Sequence, residues 1–328
     1  MFAQAKAGAG GAGAQDGGAE RLFLQAPAKI NLTLEVLGAR ANGYHDIRSV
    51  VMPIDLCDDI RLEGTDGEIE TVVAAEDAVD WEPLRRLEAG RNLATRAALA
   101  LKDSARYAGG ARIVLGKRIP LGGGLGGGSA DAAAVLVGLN RLWNIGFTTE
   151  RLMAIGAGIG CDVPALIPRR PVCMEGLGEH VSPIENVSPE PWWIVLANPG
   201  IHVSTADIYT RWQKTALTYT EPCFRNMVCA LQAGDCHMAA RNLVNGLQAT
   251  VFRKFPLIEM IREAMVDAGC LGALLCGSGA SVFGLAVTRA QAESAVARLR
   301  EAFGSDFWVQ VTKTLPDGVM VAHGPLEA

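Results

Sequence analysis

The chain has 328 residues, 38 of them Gly, against about 23 at average usage. No Gly-X-Y period runs through it, which excludes collagen, and 49% hydrophobic with 20% charged residues exclude wholesale disorder. A net charge of −5 argues against a general nucleic-acid binder and leaves room for a small anion in a local basic pocket.

The length suggests about two domains. Residues 1–20 hold six Gly and seven Ala, too little to bury, and are expected to form a disordered tail. They contain no apolar run of signal-peptide length. Leu22 to Pro27 reads as a strand entering a turn, and Ala28 to Leu37 as a second strand by its alternation. Asn42-Gly43 marks a turn. Ser49–Leu56 is apolar and extended, and Ile60–Val73 alternates. Asn92 to Lys102 has helical spacing, and Ala111–Leu115 is a strand. A glycine-rich stretch then opens a helix from about Ser129 to Trp143. A further helix covers Thr149 to Ile159, capped by Thr148 or Thr149. Past Asp162-Val163-Pro164 the character changes, and Trp192 to Ala197 is a strand.

Ala268–Val287 is uncharged over 20 residues, long enough to span a bilayer. Gly277-Ser278-Gly279 breaks it into two short strands, Ala273–Leu275 and Ser281–Leu285, so no membrane association is expected. Strands and helices mix without strict βαβ order, which makes the fold class α+β. The expected division is 21–170 and 171–328.

The eight cysteines are widely spaced with no CxxC pair, so free thiols in a reducing cytoplasm are expected. Cys236 and His237 supply two ligands where structural zinc takes four.

The stretch Gly122-Gly123-Gly124-Leu125-Gly126-Gly127-Gly128-Ser129 links a strand to a helix. Glycines allow sharp bends and close approach of backbone to ligand. The first amides of the helix are unpaired and carry the positive end of its dipole, which makes an anion site. Lys117 and Arg118 add positive charge just upstream. A flexible linker would have polar, aperiodic flanks, unlike these. Gly122, Gly124 and Gly127 satisfy GxGxxG, but the acidic residue of a dinucleotide fold is missing about 20 positions on. No GxxxxGK[ST] occurs. What remains is a nucleoside triphosphate held outside the P-loop class. Ser129 is either a helix N-cap, a ligand of phosphate or Mg²⁺, or both.

Three other clusters stand out. Lys29 and Asn31 lie two apart on one strand face, where a lysine is either an edge residue reaching solvent or a buried charge with a partner. Tyr44-His45 follows a turn and either packs ordinarily or stacks and hydrogen-bonds a base. Asp162 interrupts the apolar stretch Leu152–Ile167 and is either a helix cap before Pro164 or a carboxylate paired with a cation such as Lys29.

The ordered segments PAKIN, GYH, PLGGGLGGGSADAA, GCDVP and LCGSGASVF resemble the GHMP kinase superfamily from about Arg21 to the end. The Pro27–His45 segment with Gly-Tyr-His resembles its branch acting on a cytidine diphosphate substrate of isoprenoid-precursor synthesis. The resemblance implies the two-domain GHMP kinase fold: a ribosomal protein S5 domain 2-like first half and a ferredoxin-like second half. It implies ATP and Mg²⁺, with phosphates on Pro120 and Gly122–Ser129 and Ser129 toward the metal. Asn92 and Lys117 match positions near the base. Lys29 and Asp162 match a catalytic pair. Asn31, Tyr44, His45, Thr205 and Tyr209 match substrate contacts, with the cytosine between Tyr44 and Tyr209. A cytoplasmic monomer or homodimer is expected. Another small-molecule kinase of the superfamily, or a non-catalytic nucleotide-binding regulator, is the alternative. Two departures are Cys276, where Ser or Thr is expected, and Ala130-Asp131 after Ser129. Asp131 is either a metal contact or an ordinary acid of a first helical turn.

Overall fold

The computed structural model describes residues 21–41, 43–74, 92–212 and 223–318. The expected tail, 1–20, lies outside the described residues. The chain opens with β1 (Arg21–Ala39), β2 (His45–Thr65) and β3 (Ile69–Ala74). There follow α1 (Leu93–Ala105), β4 (Gly110–Gly116), α2 (Gly127–Leu142), α3 (Thr149–Ala157) and α4 (Val163–Leu166). Next come β5 (Val172–Gly176), β6 (His180–Pro183), β7 (Trp193–Asn198), α5 (Thr205–Arg211), α6 (Cys223–Ala233) and α7 (Cys236–Arg241). The chain ends through β8 (Val244–Asn245), α8 (Gln248–Lys254), α9 (Pro256–Asp267), β9 (Gly272–Leu275), β10 (Val282–Ala286), α10 (Arg289–Phe303) and β11 (Trp308–Lys313).

The two strands expected on either side of Pro27 are one strand, β1. Its register against β2 shifts between Pro27 and Lys29 and again between Asn31 and Thr33. Such bulges absorb a proline, which has no N–H for the ladder, and turn the strand. One strand thereby feeds three cores. Leu22, Leu24 and Ala26 pack with α1 and α2, Ala28, Ile30 and Leu32 with the second sheet and α6, and Leu34 and Val36 with α8 and α9. Lys29 and Asn31 alternate with the middle set and face the opposite way.

The first sheet runs β3-β4-β2-β1-β8, with β5 also paired to β2 and β6 to β5. A division at residue 170 would separate β5 and β6 from the sheet they bond to. The second sheet is antiparallel, in the order β11-β7-β10-β9. With α9 and α10 its chain order is β-α-β-β-α-β, the ferredoxin-like arrangement. Among the described residues no helix is long and apolar enough to cross a membrane, and no disulfide joins the cysteines.

Candidate active site

A cavity of about 880 Å³ opens where the two sheets meet. Its wall includes Lys29, Asn31, Tyr44, His45, Lys117, Pro120, Gly122–Ser129, Asp162, Thr205, Tyr209 and the Gly277-Ser278 turn. Asn92 is not one of its lining residues. The Asn92 side chain instead accepts the Ala94 N–H at 2.9 Å, which caps α1. Leu93 beside it does line the wall.

The glycine loop is shaped by two close approaches. Gly124 has φ of +74°, and a Cβ there would stand 2.0 Å from the carbonyl oxygen of Cys276. Gly123 accepts the Ser281 N–H at 3.0 Å. A Cβ on Gly123 would meet Ser281 Oγ at 2.6 Å and Asn198 Nδ2 at 2.8 Å. The loop is thus pressed against the turn between β9 and β10. Helix α2 starts two residues earlier than expected, and its N-cap is Gly126 in the left-handed region, with no side-chain cap bond. Ser129 therefore lies inside the first turn and is not the cap. Its hydroxyl borders the cavity, along with the turn whose first amides lack helical partners.

Lys29 is 4% exposed, so its ammonium is costly to bury unless partnered. Nζ donates to Asn31 Oδ1 at 2.8 Å and stands 3.4 Å from Asp162 Oδ2. Asn31 Nδ2 donates to Ser49 Oγ at 2.8 Å, and Ser49 donates to the Thr33 carbonyl at 2.6 Å, which fixes the amide's orientation. Asp162 precedes α4 but makes no side-chain cap bond. Its carboxylate, partly exposed, is left for Lys29 and the cavity.

Lys117 is buried between two carboxylates, Asp58 of β2 and Asp131 of α2. Burial by itself lowers an ammonium pKa, but the charges of Asp131 and Asp58 outweigh it and Lys117 is raised. Asp131 is pushed up to about 7, mainly by burial and further by Asp58, against the pull of Lys117. Asp131 is thus a buried partner of Lys117 that lies past the first turn of α2, so it is not an ordinary first-turn acid.

At the other end Tyr44 is 60% exposed at the mouth. The His45 ring lies 5.2 Å from Tyr209, tilted, and 5.2 Å from Trp212, edge-on. His45 Nδ1 is buried without a hydrogen-bond partner among the described residues. Burial pushes the Tyr209 phenol up, as do the charges of Asp162 and Cys161. Thr205 Oγ1 and Ser278 Oγ are 2.7 Å apart, joining α5 to the Gly277–Gly279 turn.

Sequence reasoning missed Asp58, Ser278 and Asn198. Asp58 carried only a weak signal, being one of three aspartates, with Asp55 and Asp59, at the end of the apolar strand. Ser278 and Asn198 carried none, because their role depends on the second sheet meeting the loop.

The sequence matches the profile of the GHMP kinases N terminal domain over residues 92–167 and that of the GHMP kinases C terminal over 227–305. A 4-diphosphocytidyl-2-C-methyl-D-erythritol kinase of Citrifermentans bemidjiense is 39% identical over 87% of this chain and 96% of its own length. The chain belongs to the 4-diphosphocytidyl-2-C-methyl-D-erythritol kinase family of GHMP kinases. A family member from Symbiobacterium thermophilum is 40% identical, covering 87% of this chain and 98% of the relative. The crystal structure of a 4-(cytidine 5'-diphospho)-2C-methyl-D-erythritol kinase superposes with a TM-score of 0.70 at 31% identity, over 89% of this chain and 99% of that one. The L. major mevalonate kinase in complex with R-mevalonate shares the GHMP fold, with a TM-score of 0.68 at 18% identity over 90% and 96% of the two chains.

Proposed function

We propose that this GHMP kinase transfers the γ-phosphoryl group of ATP to the 2-hydroxyl of 4-diphosphocytidyl-2-C-methyl-D-erythritol. The observation that carries the reading is the Lys29–Asp162 pair, 3.4 Å apart on the wall of the cavity that the glycine loop borders. A glycine loop that opens a helix, whose first amides lack helical partners, and a carboxylate on the wall of the same cavity are the two parts phosphoryl transfer needs.

The acceptor oxygen forms its bond to the γ-phosphorus as the bond from that phosphorus to the bridging oxygen breaks. ADP leaves with the electron pair, and the hydroxyl proton passes to Asp162. Lys29, held by Asn31, orients Asp162 and offsets negative charge near the transferring oxygens. The transition state is loose, so holding these groups in line matters more than base strength. Mg²⁺ bound with the nucleotide would neutralise charge on the phosphates. It takes one or two protein oxygens beside those phosphates, and the Ser129 hydroxyl is a hard donor of that kind on the cavity wall. At the far end, the unpartnered His45 Nδ1 suits the polar edge of a pyrimidine, and Tyr44 offers it a stacking face.

The test is turnover with the cytidine diphosphate substrate, mevalonate and homoserine side by side. Turnover is expected with the first alone. Asp162→Asn is expected to lower kcat by at least about 10²-fold, the low end for a general base. Near-normal kcat in that variant would refute the role of Asp162.

A further inference from the structure

Three residues lead into the glycine loop, and all three bond to one carboxylate. Asp58 is fully buried on β2. Its Oδ1 accepts the backbone N–H of Arg118 at 2.6 Å and of Ile119 at 2.9 Å, and its Oδ2 takes the Lys117 ammonium. Lys117 continues the link to Asp131 Oδ2 on α2 at 2.6 Å. The strand side of the loop and its helix side are thus tied through one buried lysine.

The loop has two other anchors, both neutral backbone bonds. Ser281 N–H donates to the Gly123 carbonyl at 3.0 Å, and Lys29 N–H to the Leu125 carbonyl at 2.9 Å. Asp58 instead anchors the residues before the first glycine, where the Arg118 side chain also donates to the Cys57 carbonyl at 2.8 Å and to Asp59 at 2.7 Å on the surface. Asp58 also lies close beneath the first turn of α2, where a Cβ on Gly127 would stand 3.7 Å from its Oδ2. A bare carboxylate there would oppose a phosphate above it, and Lys117 neutralises that charge in place.

We infer that Asp58 is a positioning residue of the phosphate loop, setting the path of Lys117–Ile119 so that the loop amides converge on one anion. This rests on the reading of Gly122–Ser129 as the ATP phosphate site. Asp58 touches no substrate in this scheme and acts through the backbone it holds. Its loss therefore weakens ATP binding selectively and leaves the cytidine end, formed by Tyr44, His45 and Tyr209, in place.

The experiment compares full-length wild type with Asp58→Ala, Asp58→Asn and Asp59→Ala. Binding of a non-hydrolysable ATP analogue is measured with Mg²⁺, together with KM for ATP and for the cytidine diphosphate substrate. Asp58→Ala is expected to weaken the analogue and raise the KM for ATP by at least about tenfold, the loss of hydrogen bonds to a charged group. The KM for the cytidine substrate stays within about twofold. Asp58→Asn, which keeps a carbonyl for the two N–H groups, is expected to fall between, and it keeps the test open if the alanine variant folds poorly. Asp59→Ala removes the surface pair with Arg118 and is expected to leave ATP affinity unchanged. Unchanged ATP affinity in both Asp58 variants, or both KM values rising in parallel, would overturn the proposal alone. A wild type that does not bind the analogue would overturn the phosphate-site reading and this proposal with it.

Discussion

Gly124→Ala tests the contact on which the site is built. A Cβ at this position lies 2.0 Å from Cys276 O, 2.9 Å from Cys276 C and 3.0 Å from Gly279 O. A relaxed carbon–oxygen contact is about 3.3 Å or more, so the two backbones must separate by over ~1 Å. The turn resists moving. Cys276 N–H donates to Ser281 O at 2.9 Å, Gly279 N–H donates to Cys276 O at 2.8 Å, and Cys276 is fully buried. The displacement therefore falls on the glycine loop, and an L residue at φ of +74° adds roughly 1–2 kcal/mol of backbone strain. A shift of about 1 Å at reacting groups can cost about 10²-fold. The expected result is a fall of about 10²-fold in kcat/KM for ATP and a lower Tm, read by steady-state kinetics and thermal unfolding. Gly64→Ala is the control, since no atom lies within 4 Å of its Cβ. If Gly124→Ala keeps kcat/KM within about threefold of wild type, the loop is not fixed by the β9–β10 turn and the reasoning fails.

Two further outcomes concern Tyr44 at the cavity mouth and the buried Asp131. Tyr44→Ala is expected to raise the KM for the cytidine substrate by about 5- to 150-fold, the equivalent of about 1–3 kcal/mol for one stacked base, with the KM for ATP unmoved. An unchanged KM for the cytidine substrate would remove Tyr44 from that site. Asp131, held up at about 7 when folded, returns to about 3.9 on unfolding. Between those values the native state holds this proton more often than the unfolded chain does, so Asp131's own contribution to stability falls as pH rises from about 4 toward 7. Asp131→Asn is expected to flatten that slope in denaturant titrations across the range. Identical slopes in the two proteins would contradict the shift.

Local pattern made most elements readable. The Thr148 cap of α3, the Asn92 helix boundary and the paired strands around Gly277-Ser278-Gly279 all follow from residues within a few positions of one another. The break expected at Pro27 is absent because a proline interrupts a strand only where its N–H is needed, and a bulge removes that need. α2 starts before Ser129, the better cap residue by type, because Gly126 adopts the left-handed cap geometry that the loop path requires. In the site, Lys29 and Asn31 share a face by strand period alone, and Asp162 was suggested as the partner by charge accounting in an apolar segment. Lys117 was assigned toward a nucleotide base by resemblance. Its two carboxylate partners lie 59 and 14 positions away, and no short-range pattern brings Asp58 to it. The tilt of His45 onto Tyr209 depends likewise on how α5 meets β2, which is a tertiary outcome.

The turn that presses on the glycine loop works through its backbone, and this decides what the unexpected Cys276 means. Its carbonyl accepts from Gly279 and abuts Gly124, and its N–H donates to Ser281. The side chain is fully buried in the core that holds Ala28, Ile30, Leu274 and Phe283, with the Lys29 charge near enough to act on it. Burial raises the thiol pKa to about 12, which keeps it protonated at neutral pH. A hydroxyl in that place gains no role in the turn and loses solvation. Cys276→Ser is therefore expected to keep kcat and the KM for ATP within about twofold while lowering stability by about 1–3 kcal/mol. Gly277→Ala is the contrasting change. Its φ is +53°, and the added carbon would sit 3.2 Å from Gly124 O and 3.3 Å from Lys29 Nζ. If Cys276→Ser lowers kcat as far as Gly277→Ala does, the side chain at 276 takes part in the site, and the backbone account of this turn is wrong.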